Sequence, residues 1–317
     1  MLLTEKLIDF MGVRKIAGIG SIVLVIVSIV SLAFNSLEFG LDFTSGTSVR
    51  LSYSEAVVVQ DVNQTLRVNG YENAVVVTFG SDRDIRVLLP VDETVAVGEQ
   101  AAQAVIVGES IAELLQGASG SEITLLGSDY VSAKVGGELV ESGGIGMLVA
   151  LAIIMVYISV RFQFKFAMGA VVALAHDLII TLGIFSLFRI EFNLNTLAAL
   201  LAIIGYSLND TIVVSDRIRE NFRRLRKGTP LEMVNISLNQ TLSRTLITSL
   251  TTLLVLFSIL FIGGESTQGF AVALIIGVVI GTYSSIYIAS NVILYMNVTR
   301  EDLMLPVKEG AELDDIP

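Results

Sequence analysis

Six apolar runs dominate this 317-residue chain, at 16–34, 143–160, 166–188, 194–214, 245–262 and 269–295. A helix rises about 1.5 Å per residue, so each run is long enough to cross a hydrocarbon core of roughly 30 Å. Backbone polar groups in lipid must be satisfied within their own segment, and the pattern therefore predicts a six-helix membrane protein. Composition agrees, with 53% hydrophobic and 16% charged residues. The last run is long enough to tilt or to extend past the bilayer. The first follows Arg14 and Lys15 but exceeds the apolar core of a secretion signal, and it predicts an uncleaved anchor.

Cations set the expected orientation. With the N-terminus inside, the cytoplasmic segments hold Lys6, Arg14 and Lys15, then Arg161 and Lys165, then a basic stretch from Arg217 to Arg244, then Arg300 and Lys308. The short outside segments hold only Arg189, and 263–268 holds no cation. The expected division is a cytoplasmic N-terminus and first helix at 1–34, an exported periplasmic domain at 35–141, and helices two to six at 142–296. A basic cytoplasmic loop is expected at 215–243 and a cytoplasmic tail at 297–317. Most of the formal net charge of -11 lies in the exported segment, which disfavours a nucleic-acid partner. The chain has no cysteine, excluding thiolate metal sites and disulfides.

Between the first two runs the apolar pattern turns from continuous to alternating. Strands are expected at 48–53, 73–79, 84–89 and 122–130, and helices at 55–68 and about 95–116. Their order, βαββαβ, is that of the ferredoxin-like split βαβ arrangement, an α+β fold. The carboxylates of this segment lack metal-ligand spacing and read as solvated faces. Fold alone does not assign its function.

Asp210 lies four residues from the end of the fourth run, roughly 6 Å deep. A carboxylate in a membrane helix costs about 2.5 to 3.5 kcal/mol on insertion scales, so it marks a functional site unless it serves as polar glue between helices. Helical spacing puts Ser207, Asp210 and Thr211 on one face. Thr241, Arg244 or Thr245, Thr248, and Thr251 or Thr252 form a second stripe in the fifth run, expected to face the first. Arg244 matches Asp210 in depth to within about two turns, although it also suits a snorkelling anchor. His176 and Asp177 lie deeper, in the third run, either as a proton relay or as hydrogen-bonded packing. Gly277 and Gly281 in the sixth run offer a small-residue surface for close contact with another helix.

The run Gly205-Tyr206-Ser207-Leu208-Asn209-Asp210-Thr211-Ile212-Val213-Val214 resembles the fourth-helix motif of the SecF branch of the SecD/SecF protein-export family. Three further stretches are similar to that family: Phe39-Gly40-Leu41-Asp42-Phe43-Thr44-Ser45-Gly46-Thr47, Ala175-His176-Asp177 and Gln240-Thr241-Leu242-Ser243-Arg244-Thr245. At Ser45 the family usually has Gly. The resemblance implies a transport subunit of the inner membrane, with no enzymatic activity and no cofactor. It further implies pairing with a SecD-like subunit in a twelve-helix unit related to the RND exporters. Such a unit acts beside the SecYEG translocon and uses protons to promote preprotein movement. The family's proton-linked pair falls on Asp210 and Arg244, with Ser207, Asn209, Thr211, Thr248, His176 and Asp177 as neighbours. Two rival readings are disfavoured: a small-molecule exporter of the RND type would need a larger exported region with an apolar cleft, and an intramembrane aspartyl protease would need its carboxylates about 3 Å apart, whereas Asp177 and Asp210 differ in depth by roughly 10 Å.

Overall fold

The structure, a computed structural model, describes residues 8–40, 43, 46–79, 81–90, 99–131, 133–225, 228–263 and 265–299. Six helices are long and apolar enough to cross a membrane. They are α1 (Arg14–Asn35), α4 (Ala133–Phe162), α5 (Phe164–Leu187), α6 (Leu194–Arg224), α7 (Pro230–Ile262) and the rod formed by α8 (Glu265–Ser284), a π-helical segment (Ser285–Ala289) and α9 (Ser290–Tyr295). Between α1 and α4 lie β1 (Glu38–Phe39), β2 (Gly46–Tyr53), α2 (Val59–Val68), β3 (Val75–Phe79), β4 (Ser81–Pro90), α3 (Gln100–Ser119) and β5 (Ile123–Val131). A two-residue strand, β6 (Glu191–Phe192), links α5 to α6.

α5 is the axis of the bundle, packing on α1, α4, α6 and α8. Small residues let its neighbours approach: Ala167, Ala170 and Ala173 are buried, and a Cβ at Gly183 would overlap Ser28 of α1. α1, α4 and α7 instead expose rows of large aliphatics such as Ile19, Ile22, Leu148, Ile153, Leu250 and Leu254. A helix apolar on its outward face belongs in lipid.

Two expected boundaries shift. α4 begins at Ala133, so the division expected between 141 and 142 falls inside a helix. Lys134, Glu138 and Glu141 lower the hydropathy there without lowering helix propensity. The segment expected as a loop at 215–243 is helical except around its centre, since α6 runs to Arg224 and α7 starts at Pro230. Val214, Ile218 and Phe222 continue the buried face of α6 beyond the apolar run, and Met233, Val234 and Leu238 bury the matching face of α7. A reciprocal cap starts α7: the Glu232 amide donates to Thr229 Oγ1 at 3.2 Å, and the Thr229 amide donates to Glu232 Oε2 at 2.8 Å. Such caps contribute about 1 kcal/mol. The N-terminal segment is fastened to this helix by Asn239 and Asn235, which accept from the amides of Ile8 and Phe10 at 2.8 and 2.9 Å.

The strands β2 to β5 form one antiparallel sheet in the order β3-β4-β2-β5. α2 and α3 cover one face over a core of Val49, Leu51, Leu66, Ile85, Val87 and Ile111. Burial pushes the Tyr53 phenol up to about 12. Leu126 is the extra residue of a bulge in β5, since Arg50 and Leu51 oppose Gly127 and Leu125. Against expectation α2 starts at Val59 and β4 spans ten residues. The expected start of the second helix near 95, and Ser45, lie outside the described residues.

A small clasp joins the α/β domain's connector to the bundle. β1 pairs in parallel with β6, Glu38 with Glu191 and Phe39 with Phe192, and the Gly40 amide donates to the Phe192 carbonyl at 2.9 Å. Phe39, Phe43 and Phe192 stack or meet edge-on with centroids 5.6 to 5.9 Å apart. Gly40 eases this approach, because a Cβ there would press on Asn193 Cβ at 3.2 Å and displace the Glu191 carboxylate. Asn193 follows at once and caps α6 by accepting from the Thr196 amide at 3.0 Å.

Candidate functional site

Ser207, Asp210 and Thr211 are all buried on the inner side of α6. They do not share partners. Ser207 donates to Asp177 Oδ2 on α5 at 2.6 Å, and Ser284, the last residue of α8, donates to the same oxygen at 2.8 Å. His176 Nδ1 lies 2.9 Å from Asp177 Oδ1, and its ring stacks on Tyr283 at 6.4 Å. Three helices therefore meet at one fully buried carboxylate.

Asp210 stands differently. It is 3% exposed, and its Oδ2 has no hydrogen-bond partner among the described residues. The buried hydroxyls of Thr211 and Thr245 are also without partners. Side-chain rungs fix the register of the α6–α7 hairpin: Asn221 Nδ2 donates to Ser237 Oγ at 2.8 Å, Arg217 Nε to Gln240 Oε1 at 2.7 Å, and Tyr206 to Ser249 Oγ at 3.3 Å. Interpolation between these rungs sets Arg244 and Thr245 within about one turn, ~5.4 Å, of the level of Asp210. Arg244 is exposed and lines a cavity of about 490 Å³ with Asp216, Arg217, Glu220 and Gln240. It forms no ion pair with Asp210 in this structure.

The remaining expected neighbours separate. Thr248 turns back on its own helix, donating to the Arg244 and Thr245 carbonyls at 3.1 and 2.9 Å. Asn209 is exposed. On α7 the inward line is Thr241, Thr245 and Ser249, spaced by four, whereas Thr251 is exposed. Ser249 also meets Thr282 of α8 at 2.6 Å, so a chain of hydroxyls from Tyr206 crosses three helices. Sequence reasoning missed Ser249, although it continues the four-residue spacing from Thr241 and Thr245.

One expectation is corrected. The Gly277 and Gly281 surface packs within the chain: a Cβ at Gly277 would overlap Ile203 of α6, and one at Gly281 would lie 3.1 Å from Ser207 Cβ. It is closed to another chain. Asp177 and Asp210 share no hydrogen bond, whereas a protease dyad holds its carboxylates about 3 Å apart. Among the described residues no group of His, Asp and Glu is placed to hold a metal ion.

Comparison with known proteins gives consistent matches. Residues 110–299 match the protein export membrane protein SecD/SecF C-terminal family, and residues 30–57 match the SecD/SecF GG motif. The protein translocase subunit SecF of Vibrio alginolyticus is 44% identical over 100% of this chain and 99% of its own length. That of Pseudomonas aeruginosa is 45% identical over 98% of both. The crystal structure of SecDF, a translocon-associated membrane protein from Thermus thermophilus, superimposes with a TM-score of 0.79 at 36% identity. That match covers 94% of this chain and 40% of the SecDF chain, so the present chain spans about two-fifths of that longer protein.

Proposed function

Because this chain belongs to the SecD/SecF family of protein-export membrane proteins, as a SecF-like subunit in protein translocation, we propose that it forms one half of a twelve-helix unit completed by a SecD-like subunit. The unit sits in the inner membrane beside the SecYEG channel, with both termini of this chain cytoplasmic. It uses the proton-motive force to promote movement of preproteins. The βαββαβ domain, with its ferredoxin-like strand order, is on the exported side.

The observation that carries this reading is Asp210, a buried carboxyl group with an oxygen that nothing among the described residues satisfies. An unsatisfied polar atom in hydrocarbon costs several kcal/mol, so the arrangement calls for a proton, a moving partner or a facing subunit. Arg244, level with Asp210 but turned to the cavity at the basic end, changes the proton occupancy of Asp210 as it approaches or withdraws. Each proton crossing the field gains about 2.3 kcal/mol per 100 mV. The clasp supports coupling, since it ties the base of α6 to the connector seven residues before β2, and its Phe43 ring lies three residues before that strand.

An exposed stripe on α6 supports the partner. Leu201, Gly205 and Asn209 lie one turn apart on its outward side, and a Cβ at Gly205 would meet nothing within 4 Å. Such a stripe beside Asp210 suits a second helix at close range. Mild-detergent extracts of native membranes containing the tagged chain are expected to retain a SecD-like subunit. Recovery of the lone chain or its homo-oligomer, with secretion unaffected by deleting every SecD-like protein, would sink the reading.

A further inference from the structure

Asp177 is a buried acidic side chain for which the proton path just described has no use. Its three partners come from three directions: His176 on its own helix, Ser207 on α6 and Ser284 at the end of α8. Thr181 donates to its backbone carbonyl at 2.7 Å, and Tyr283, stacked on His176, donates to the Ala17 carbonyl of α1 at 2.7 Å. No Lys or Arg is bonded to it among the described residues. A buried acidic side chain is costly compared with an apolar residue of the same size, so one kept here serves something other than bulk stability.

Geometry indicates what it serves. Ser207 precedes Asp210 by three residues and therefore lies on the same side of α6. A hydrogen bond at Ser207 fixes the rotation of α6 about its own axis, and that rotation sets where Asp210 points. On the other side the tie ends at Ser284, directly before the π-helical segment, where the helix widens and side chains are re-aimed. Gly281 leaves room for the Ser207 bond, because a Cβ there would press on Ser207, 3.1 Å from its Cβ and 3.3 Å from its Oγ.

We propose that Asp177 carries no transported proton and is instead the positioning residue that sets the orientation of Asp210, by tying α6 and the end of α8 to α5 through Ser207 and Ser284. This rests on the proton-site reading of Asp210. An asparagine can replace the carboxylate in this role: its carbonyl oxygen accepts from both serines, and its amide donates to His176 Nδ1 in the other tautomer.

The test compares the pH dependence of proton-driven secretion, in inverted vesicles holding the full complex, for four variants at matched assembly. Asp177→Asn is expected to keep the wild-type profile. Asp177→Ala and the milder double variant Ser207→Ala/Ser284→Ala are expected to shift it by on the order of one pH unit, a tenfold change in proton affinity. Secretion lost in Asp177→Asn as fully as in Asp210→Asn would overturn the proposal, because Asp177 would then be a proton carrier. A wild-type profile in both the alanine and the double-serine variants would also overturn it, leaving Asp177 as packing. Asp210→Asn separates the two claims: wild-type secretion by that variant overturns the proton-site reading and with it this proposal, whereas its loss beside unshifted alanine and double-serine variants overturns the role of Asp177 alone.

Discussion

A leucine at Gly277 has to occupy space that Ile203 already fills, and it does so one turn from Gly281 and the serine bonds to Asp177. Overpacking of this kind costs about 1–3 kcal/mol. Gly277→Leu is therefore expected to lower the melting temperature of the purified lone chain in detergent, while Gly205→Leu leaves that temperature unchanged and weakens the complex with a second subunit. Thermal melting of the two variants, followed by co-purification, checks both halves of the contrast. At this scale the sequence shows which polar groups lie in the membrane but not how they pair. Ser207 and Asp210 share a helical face, yet one bonds to α5 and the other keeps an open oxygen. Spacing gives an angle around one helix; a partner depends on where three other helices come to rest.

The clasp is the element that spacing could not reveal. Two residues before α6 and two after α1 are too short for any alternating pattern, and they pair across more than 150 positions of sequence. If β1, β6 and the base of α6 move as one body, fastening them harder costs nothing. Glu38→Cys/Glu191→Cys places the only two thiols of the chain at a paired position, where parallel strands run about 4.8 Å apart, within disulfide range. The oxidised variant is expected to secrete as well as the reduced one. Inactivity restored by reductant would mean that the strands must part during the cycle. The hairpin of α6 and α7 gives the complementary lesson: hydropathy ended both helices where arginines begin, but the 3.6-residue burial of Ile218, Phe222, Val234 and Leu238 carries them on.

For the whole molecule, the six spans, the intervening α/β domain and its strand sequence were readable because each rests on a local period or a run length. Placement of the glycines was not. A small-residue surface suits contact within a chain as well as between chains, and only the packing of α6 on α8 decides it. In the proposed function the molecule is half of a proton-driven device, and Asp210 is the site where a proton is held. The most direct measurement is proton-gradient-dependent secretion by Asp210→Asn, made in inverted vesicles at wild-type levels of assembled complex. Asparagine keeps the size and hydrogen bonding of the side chain and removes its charge. The expected result is loss of the component of secretion driven by the gradient while insertion and assembly persist. Secretion at the wild-type rate, with full dependence on the gradient, would contradict it.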